Sequence, residues 1–224
     1  MIFTTIVFYD GQGFLARKKS GYKSINDLDN VTICCESGTT SELNIADYFK
    51  EHNLRYKIIT FERESELISA YDSGRCDVYT GDRASLAAEI LRMRRPQDHI
   101  LLPETISKEP LSPAVRHADA AWEDIVRWMI FGLINAEEAG ITKTNIESML
   151  SSENANVLRL LGVSVDLGKD FGLSRDFLYQ ALKVTGNYGE IFERNVGMES
   201  PLKMERGQNN IWTKGGLLYG APYR

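Results

Sequence analysis

The stretch Val31-Thr32-Ile33-Cys34-Cys35-Glu36-Ser37-Gly38-Thr39-Thr40-Ser41-Glu42-Leu43 decides the fold. It opens with a compact β-branched run over Val31–Cys35, which reads as a buried strand. Glu36–Thr40 then breaks the pattern around a glycine, and a helix follows with Leu43, Ala46 and Phe49 expected on its apolar face. Strand, glycine turn and helix in direct succession are the unit from which parallel sheets are built. Working outward, the same alternation continues on both sides. Upstream, Phe14–Lys18 reads as a strand and Ser24 as the cap of a short helical turn ending at Leu28. Downstream, Tyr56–Phe61 alternates as a strand, and Glu64–Ser73 carries Leu67, Ile68 and Tyr71 on one side, with Gly74 as its stop. Cys76–Thr80 is a strand, Arg83–Arg94 a helix ended by Pro96, and His99–Leu102 a last strand. From Gly13 to about Glu104 the pattern therefore predicts a mainly parallel α/β sheet with crossover helices.

The flanks differ. Met1–Tyr9 reads as a β-branched and aromatic strand running into the turn signal Asp10-Gly11, and it lacks the basic and apolar regions of a secretory signal. Beyond Glu104 the chain is helical. Pro110 and Pro113 bracket a loop, Ala114-Val115 is a short strand, and Asp119–Ala139 repeats Trp122, Ile125, Val126, Met129, Ile130 and Leu133 at helical spacing. Shorter helical pieces follow at 145–150, 156–161, 175–185 and 189–195, before a turn-rich tail from Met204 with Trp212 and Tyr219. So much helix with so little sheet of its own predicts that the sheet it covers either lies elsewhere in the chain or is partly missing.

Composition narrows the functional classes. The chain is 43% hydrophobic and 25% charged, which suits a globular protein, and its net charge of −5 with scattered basic residues gives no nucleic-acid groove. The apolar run around Trp128–Asn135 is too short to span a bilayer. Cys34, Cys35 and Cys76 form no C-x-x-C, and His52, His99 and His117 lie far from them, so no metal site and no cofactor are expected. On counts alone, one bonded pair with a free thiol and a fully reduced set both fit. Gly11-x-Gly13 lacks the third glycine of a dinucleotide fingerprint, and no Walker A, G-x-S-x-G or H-E-x-x-H motif is present. Glu137-Glu138 reads as a solvated helix face.

Two positions carry chemistry. Gly38-Thr39-Thr40 lies between a strand and a helix start, where free N–H groups and the helix dipole favour a carboxylate or phosphate. Read by itself, Thr40 equally serves as a helix cap. Asp82 follows the Cys76–Thr80 strand, where its carboxylate can receive an ammonium group. A lone aspartate there also reads as a cap for the helix from Arg83. Together the two positions match the two charges of an α-amino acid, at the strand ends where open α/β sheets bind ligands.

Several segments resemble one family. Tyr9-Asp10-Gly11-Gln12-Gly13-Phe14, Ser37-Gly38-Thr39-Thr40-Ser41-Glu42-Leu43-Asn44 and Ala70-Tyr71-Asp72-Ser73-Gly74-Arg75-Cys76-Asp77-Val78-Tyr79-Thr80 are similar to general L-amino-acid-binding proteins of polar amino-acid ABC transporters. So are Ile106–Leu111, Asn187–Asn195 and Trp212–Leu217, and the resemblance covers essentially the whole chain. It implies an α/β periplasmic-binding-protein-like fold of two lobes that close on the ligand as a hinge. Residues 14–104 would be a complete second lobe, 1–13 a first-lobe remnant and crossover strand, and 105–224 the crossover return and C-terminal helical part of an incomplete first lobe. Gly38, Thr39 and Thr40 would bind the ligand carboxylate and Asp82 its α-ammonium.

The resemblance also implies a Cys34–Cys76 disulfide, with Cys35 facing the other side of its strand, and a periplasmic setting. The partners it implies are an L-amino acid and a transporter permease. Family members begin with a signal peptide and most of the first lobe, so the expectation here is an N-terminally truncated chain with weakened or lost binding. An exposed sheet edge would favour a homodimer. The alternative is a dehydratase-like enzyme on the same fold, acting on a small carboxylate. It would need a general acid or base beside Thr39 and Thr40, where the sequence offers only Asp82 and Glu42.

Overall fold

The architecture was obtained as a computed structural model and is described for residues 1–223. It divides into two units, Asp10–Pro110 and a second made of Met1–Tyr9 with Leu111–Arg224.

The Asp10–Pro110 unit is built on five strands: β3 (Gln12–Arg17), β4 (Val31–Glu36), β5 (Tyr56–Phe61), β6 (Val78–Asp82) and β7 (His99–Leu101), in the order β5-β4-β6-β3-β7. β4 pairs in parallel with both β5 and β6, while β3 runs antiparallel to β6 and β7. The sheet is thus parallel apart from β3, which inserts between β6 and β7 with the opposite direction. Helices α1 (Thr40–Glu51), α2 (Glu64–Asp72) and α3 (Arg83–Arg92) make the crossovers. Both faces of the sheet are covered. Phe14, Ala16, Ile33, Cys35 and Val78 pack with Ile45 and Phe49 of α1, while Leu15, Cys34 and Tyr79 pack with Leu67, Tyr71 and Leu86 of α2 and α3. Successive β4 residues Cys34 and Cys35 therefore enter opposite cores, as a two-residue side-chain period requires.

The apolar face of α1 differs from the one read in the sequence. Ile45 and Phe49 are buried, and Tyr48 packs alongside, whereas Leu43 is 70% exposed. Leu43 stands about 200° around the helix from Ile45, so the sheet-facing stripe cannot include both.

In the other unit β1 (Ile2–Phe3) pairs antiparallel with β9 (Ala114–Val115). The expected strand over Met1–Tyr9 is broken in two, because β2 (Phe8–Asp10) pairs instead with β8 (Glu109–Leu111). Pro113, which accepts from Thr4 N–H but has no N–H to return, interrupts the ladder between them. The long helix α4 (Ala120–Glu138) is capped by Asp119, whose side chain accepts from Trp122 N–H. Around it lie α5 (Ile146–Met149), α6 (Ala155–Leu160), α7 (Phe177–Thr185) and α8 (Tyr188–Asn195).

Burial on α4 concentrates in its second half, at Ile130, Ile134, Asn135 and Ala136. Trp122 is half exposed, so it leaves the expected core stripe, while Trp128 packs against Phe131 and Tyr223. Glu137 is not on a solvated face. Its carboxylate is buried and paired with Arg206 at 3.1 Å, because the tail folds back to deliver that guanidinium. Glu138 Oε1 is likewise buried, without a hydrogen-bond partner among the described residues. No helix among the described residues is long and apolar enough to cross a membrane.

Candidate functional site

The chemistry-bearing residues gather at one end of the five-stranded sheet. β4 and β6 are parallel neighbours, with Cys34 opposite Tyr79, so the segments following their C-terminal ends emerge side by side. The first is Ser37–Thr40 leading into α1, and the second is Asp82 leading into α3.

At the start of α1, Gly38 has a φ of +73°, which fits glycine and makes the turn into the helix. Thr39 is the cap residue, but its hydroxyl donates backward to Glu36 O at 3.0 Å and not into the helix. Thr40, expected as the cap, is instead the first helical residue and is exposed. Glu42 folds back and accepts from the Gly38 N–H at 2.9 Å. The N–H groups of Thr40 and Ser41, in the first helical turn, have no partner within the helix. They and the Thr40 hydroxyl are the donors this terminus offers to an anion.

Asp82 occupies the cap position of α3, yet its side chain makes no capping hydrogen bond. Asp10 does that work. Its Oδ2 accepts from Ala84 N–H at 3.1 Å, while its Oδ1 accepts from Gly11 N–H at 2.8 Å. The capping reading of Asp82 is therefore corrected: the carboxylate is left free. Partial burial, and then the like charges of Asp10 and Glu109, raise its carboxyl pKa above the ordinary value. A carboxylate in that setting gains from an incoming cation.

Gln12 joins the two positions. It is the register partner of Asp82 across β3 and β6, and its side chain is almost fully buried. Its Nε2 donates to Thr80 Oγ1 at 3.0 Å and to Ser41 O at 3.3 Å, and its Oε1 accepts from Asn44 Nδ2 at 2.9 Å. One amide thus ties the strand pair that carries Asp82 to the first turn of α1. The glycines beside it serve close approach, not a dinucleotide. A Cβ on Gly11 would lie 2.6 Å from Ser107 O, and one on Gly13 would lie 2.7 Å from Arg83 Cγ.

Cys34 and Cys76 are joined by a disulfide, with Cα atoms 5.8 Å apart. It staples β4 to the approach of β6 beneath the site. Cys35 is free and buried, and burial with the Glu42 charge pushes its thiol up to about 12.

No family model matches the chain. The general L-amino acid-binding periplasmic protein AapJ of Rhizobium johnstonii is 51% identical over 224 residues, covering 99% of this chain and 66% of that protein. The glutamate/glutamine/aspartate/asparagine-binding protein BztA of Rhodobacter capsulatus is 45% identical over 223 residues, with the same coverage. A solved ABC transporter periplasmic binding protein from Brucella ovis, with glutathione bound, matches at a TM-score of 0.92 and 50% identity, over 99% of this chain and 70% of that one. The chain belongs to the family of ABC transporter periplasmic binding proteins. It spans 66% of the length of the curated relatives it matches.

Gln12, Asn44 and Asp10 were not singled out from sequence as site residues. Asp10-Gly11 reads as a turn, and nothing local shows that its carboxylate caps a helix starting at Arg83. The one available signal was the apolar neighbourhood of Gln12. A lone amide between Gly11 and the buried run from Gly13 is a polar group that needs partners.

Proposed function

We propose that this chain captures an L-amino acid as the solute-binding component of an ABC uptake system and delivers it to the membrane permease. The ligand's carboxylate lies at the start of α1, receiving hydrogen bonds from Thr40 and the first-turn amides, with Thr39 as the cap residue and Gly38 shaping the turn. Its α-ammonium pairs with Asp82. The observation that carries the reading is the free Asp82 carboxylate, relieved of capping by Asp10 and crowded by Asp10 and Glu109. A group left in that state is complementary to an ammonium.

Glutathione, held by the Brucella ovis relative, carries an ammonium and a carboxylate on one carbon at its γ-glutamyl end. The same two-charge head is the recognition element proposed here. In this reading residues 14–104 act as one lobe of a hinged pair, and no covalent chemistry is performed. The disulfide and the periplasmic relatives support action in the oxidising periplasm.

Isothermal titration with individual L-amino acids tests the proposal, with a light-scattering mass in the same buffer to show whether two copies assemble. Saturable binding that disappears in Asp82→Asn supports it. Absence of heat at millimolar concentrations of every common L-amino acid would refute it for this chain.

A further inference from the structure

We propose that Gln12 is the positioning residue that sets the separation between the carboxylate-binding and ammonium-binding halves of the site, and so makes it selective for α-amino acids. The inference rests on the amino-acid-binding reading above.

The hydrogen-bond accounting around Gln12 is closed and has one direction. The Thr80 hydroxyl donates to Gly13 O at 2.6 Å, so toward Gln12 it can only accept. Gln12 Nε2 supplies that hydrogen and places its second on Ser41 O. Gln12 Oε1 is then free to receive Asn44 Nδ2. Every capacity of the amide except one Oε1 lone pair is used, and no other natural side chain of this length offers two donors and an acceptor in one plane.

The backbone of Gln12 is fixed as well. Its N–H donates to Ser107 Oγ at 3.0 Å, its C=O accepts from Ile106 N–H at 2.9 Å, and its Cα partner in β6 is Asp82. Two α1 residues, Ser41 and Asn44, are therefore referred directly to the strand pair that carries Asp82. Without this link, the described residues hold α1 to the sheet through apolar contacts of Ile45, Tyr48 and Phe49, which tolerate sliding better than directional hydrogen bonds do.

A site that reads two charges at once is sensitive to their spacing. An α-amino acid has one carbon between its ammonium nitrogen and its carboxylate carbon. A β-amino acid adds a second, which lengthens the span by about 1 Å, using ordinary covalent dimensions. Hydrogen bonds weaken steeply over such displacements. A rigid α1-to-Asp82 distance rejects the longer ligand, whereas a loose one admits both.

The test compares the 224-residue chain with Gln12→Met, which keeps side-chain length and burial but removes the three hydrogen bonds, using L-alanine and β-alanine as probes in calorimetry. The expected result is a ratio of the two dissociation constants that falls at least tenfold in Gln12→Met. Equal weakening for both probes, leaving the ratio unchanged, would overturn the assignment and leave Gln12 a stability residue. Amide hydrogen exchange of the ligand-free chain supplies a second readout. Faster exchange confined to residues 40–45 in the variant supports the proposal, and unchanged exchange there overturns it. If the parent chain binds no amino acid while exchange at 40–45 responds as expected, the binding reading fails and the positional tie stands.

Discussion

Reduction of the Cys34–Cys76 bond is the perturbation whose size follows most directly from the fold. The two cysteines are 42 residues apart and almost fully buried, among Leu15, Leu67, Tyr71, Tyr79 and Leu86. Once reduced, the thiols remain small apolar groups in the same core, so packing changes little. What is lost is the constraint on the unfolded chain. For a loop of this length the chain-entropy relation gives about 13 cal/mol/K, or about 4 kcal/mol at 25 °C. With a urea m-value of about 1–2 kcal/mol/M, the midpoint for the Asp10–Pro110 unit falls by about 2–4 M.

The assay is urea unfolding of the oxidised and reduced chain followed by far-UV circular dichroism, since Trp122, Trp128 and Trp212 all lie outside that unit. A thiol count accompanies it. The native oxidised protein should show no reactive thiol, unfolding without reductant should expose Cys35 alone, and reductant should bring the count to three. A midpoint shift corresponding to under about 1 kcal/mol would refute the reasoning, because loop closure would then contribute almost nothing here.

Asp82→Asn should weaken amino-acid binding at least about thirtyfold, from roughly 2 kcal/mol for a charge-assisted hydrogen bond, as read by calorimetry. Because the free Asp82 carboxyl titrates above its ordinary range, affinity should be flat at neutral pH and decline as pH falls into the acid range, with protons released on binding there. Buried His99, hydrogen-bonded through Nδ1 to Tyr71 Oη at 3.0 Å, has its pKa lowered chiefly by burial. Asp72 and Asp98 oppose that shift, and Arg17 and Arg95 reinforce it. Its stabilising contribution is therefore complete above the unfolded value of about 6.5 and is lost as pH drops below it. Urea midpoints between pH 7.5 and 5 should fall more steeply for the parent than for His99→Gln. Glu137→Ala removes the carboxylate partner of the largely buried Arg206 guanidinium, leaving it the Asn209 carbonyl, and should cost about 3 kcal/mol, measured as a fall in unfolding midpoint. A loss near zero would mean that the Asn209 carbonyl and water suffice to hold the Arg206 charge.

The order of elements was legible along the chain because each is written in local periodicity. Val31–Glu36 forms a strand and Glu64–Asp72 a helix within a residue or so of the positions read from pattern. The turn at Gly38, the stop at Gly74 and the Ser24 capping box are likewise local chemistry, complete within a few residues. The disulfide came from family resemblance and not from spacing, since three cysteines admit several pairings.

The sequence by itself determined the succession of strands and helices, the charge balance, and the presence of a glycine-threonine turn and a strand-end aspartate. Only the tertiary structure decided what those two features are free to do. Asp82 is available because Asp10, 72 positions earlier in the chain, takes over the cap of α3, and the start of α1 is held in register because Gln12 reaches Ser41 and Asn44. Leu43 faces solvent and Glu137 is buried for the same kind of reason. Periodicity says that a helix has an apolar side, but which residues meet the sheet, and which charges find a partner, depends on contacts between segments far apart in sequence.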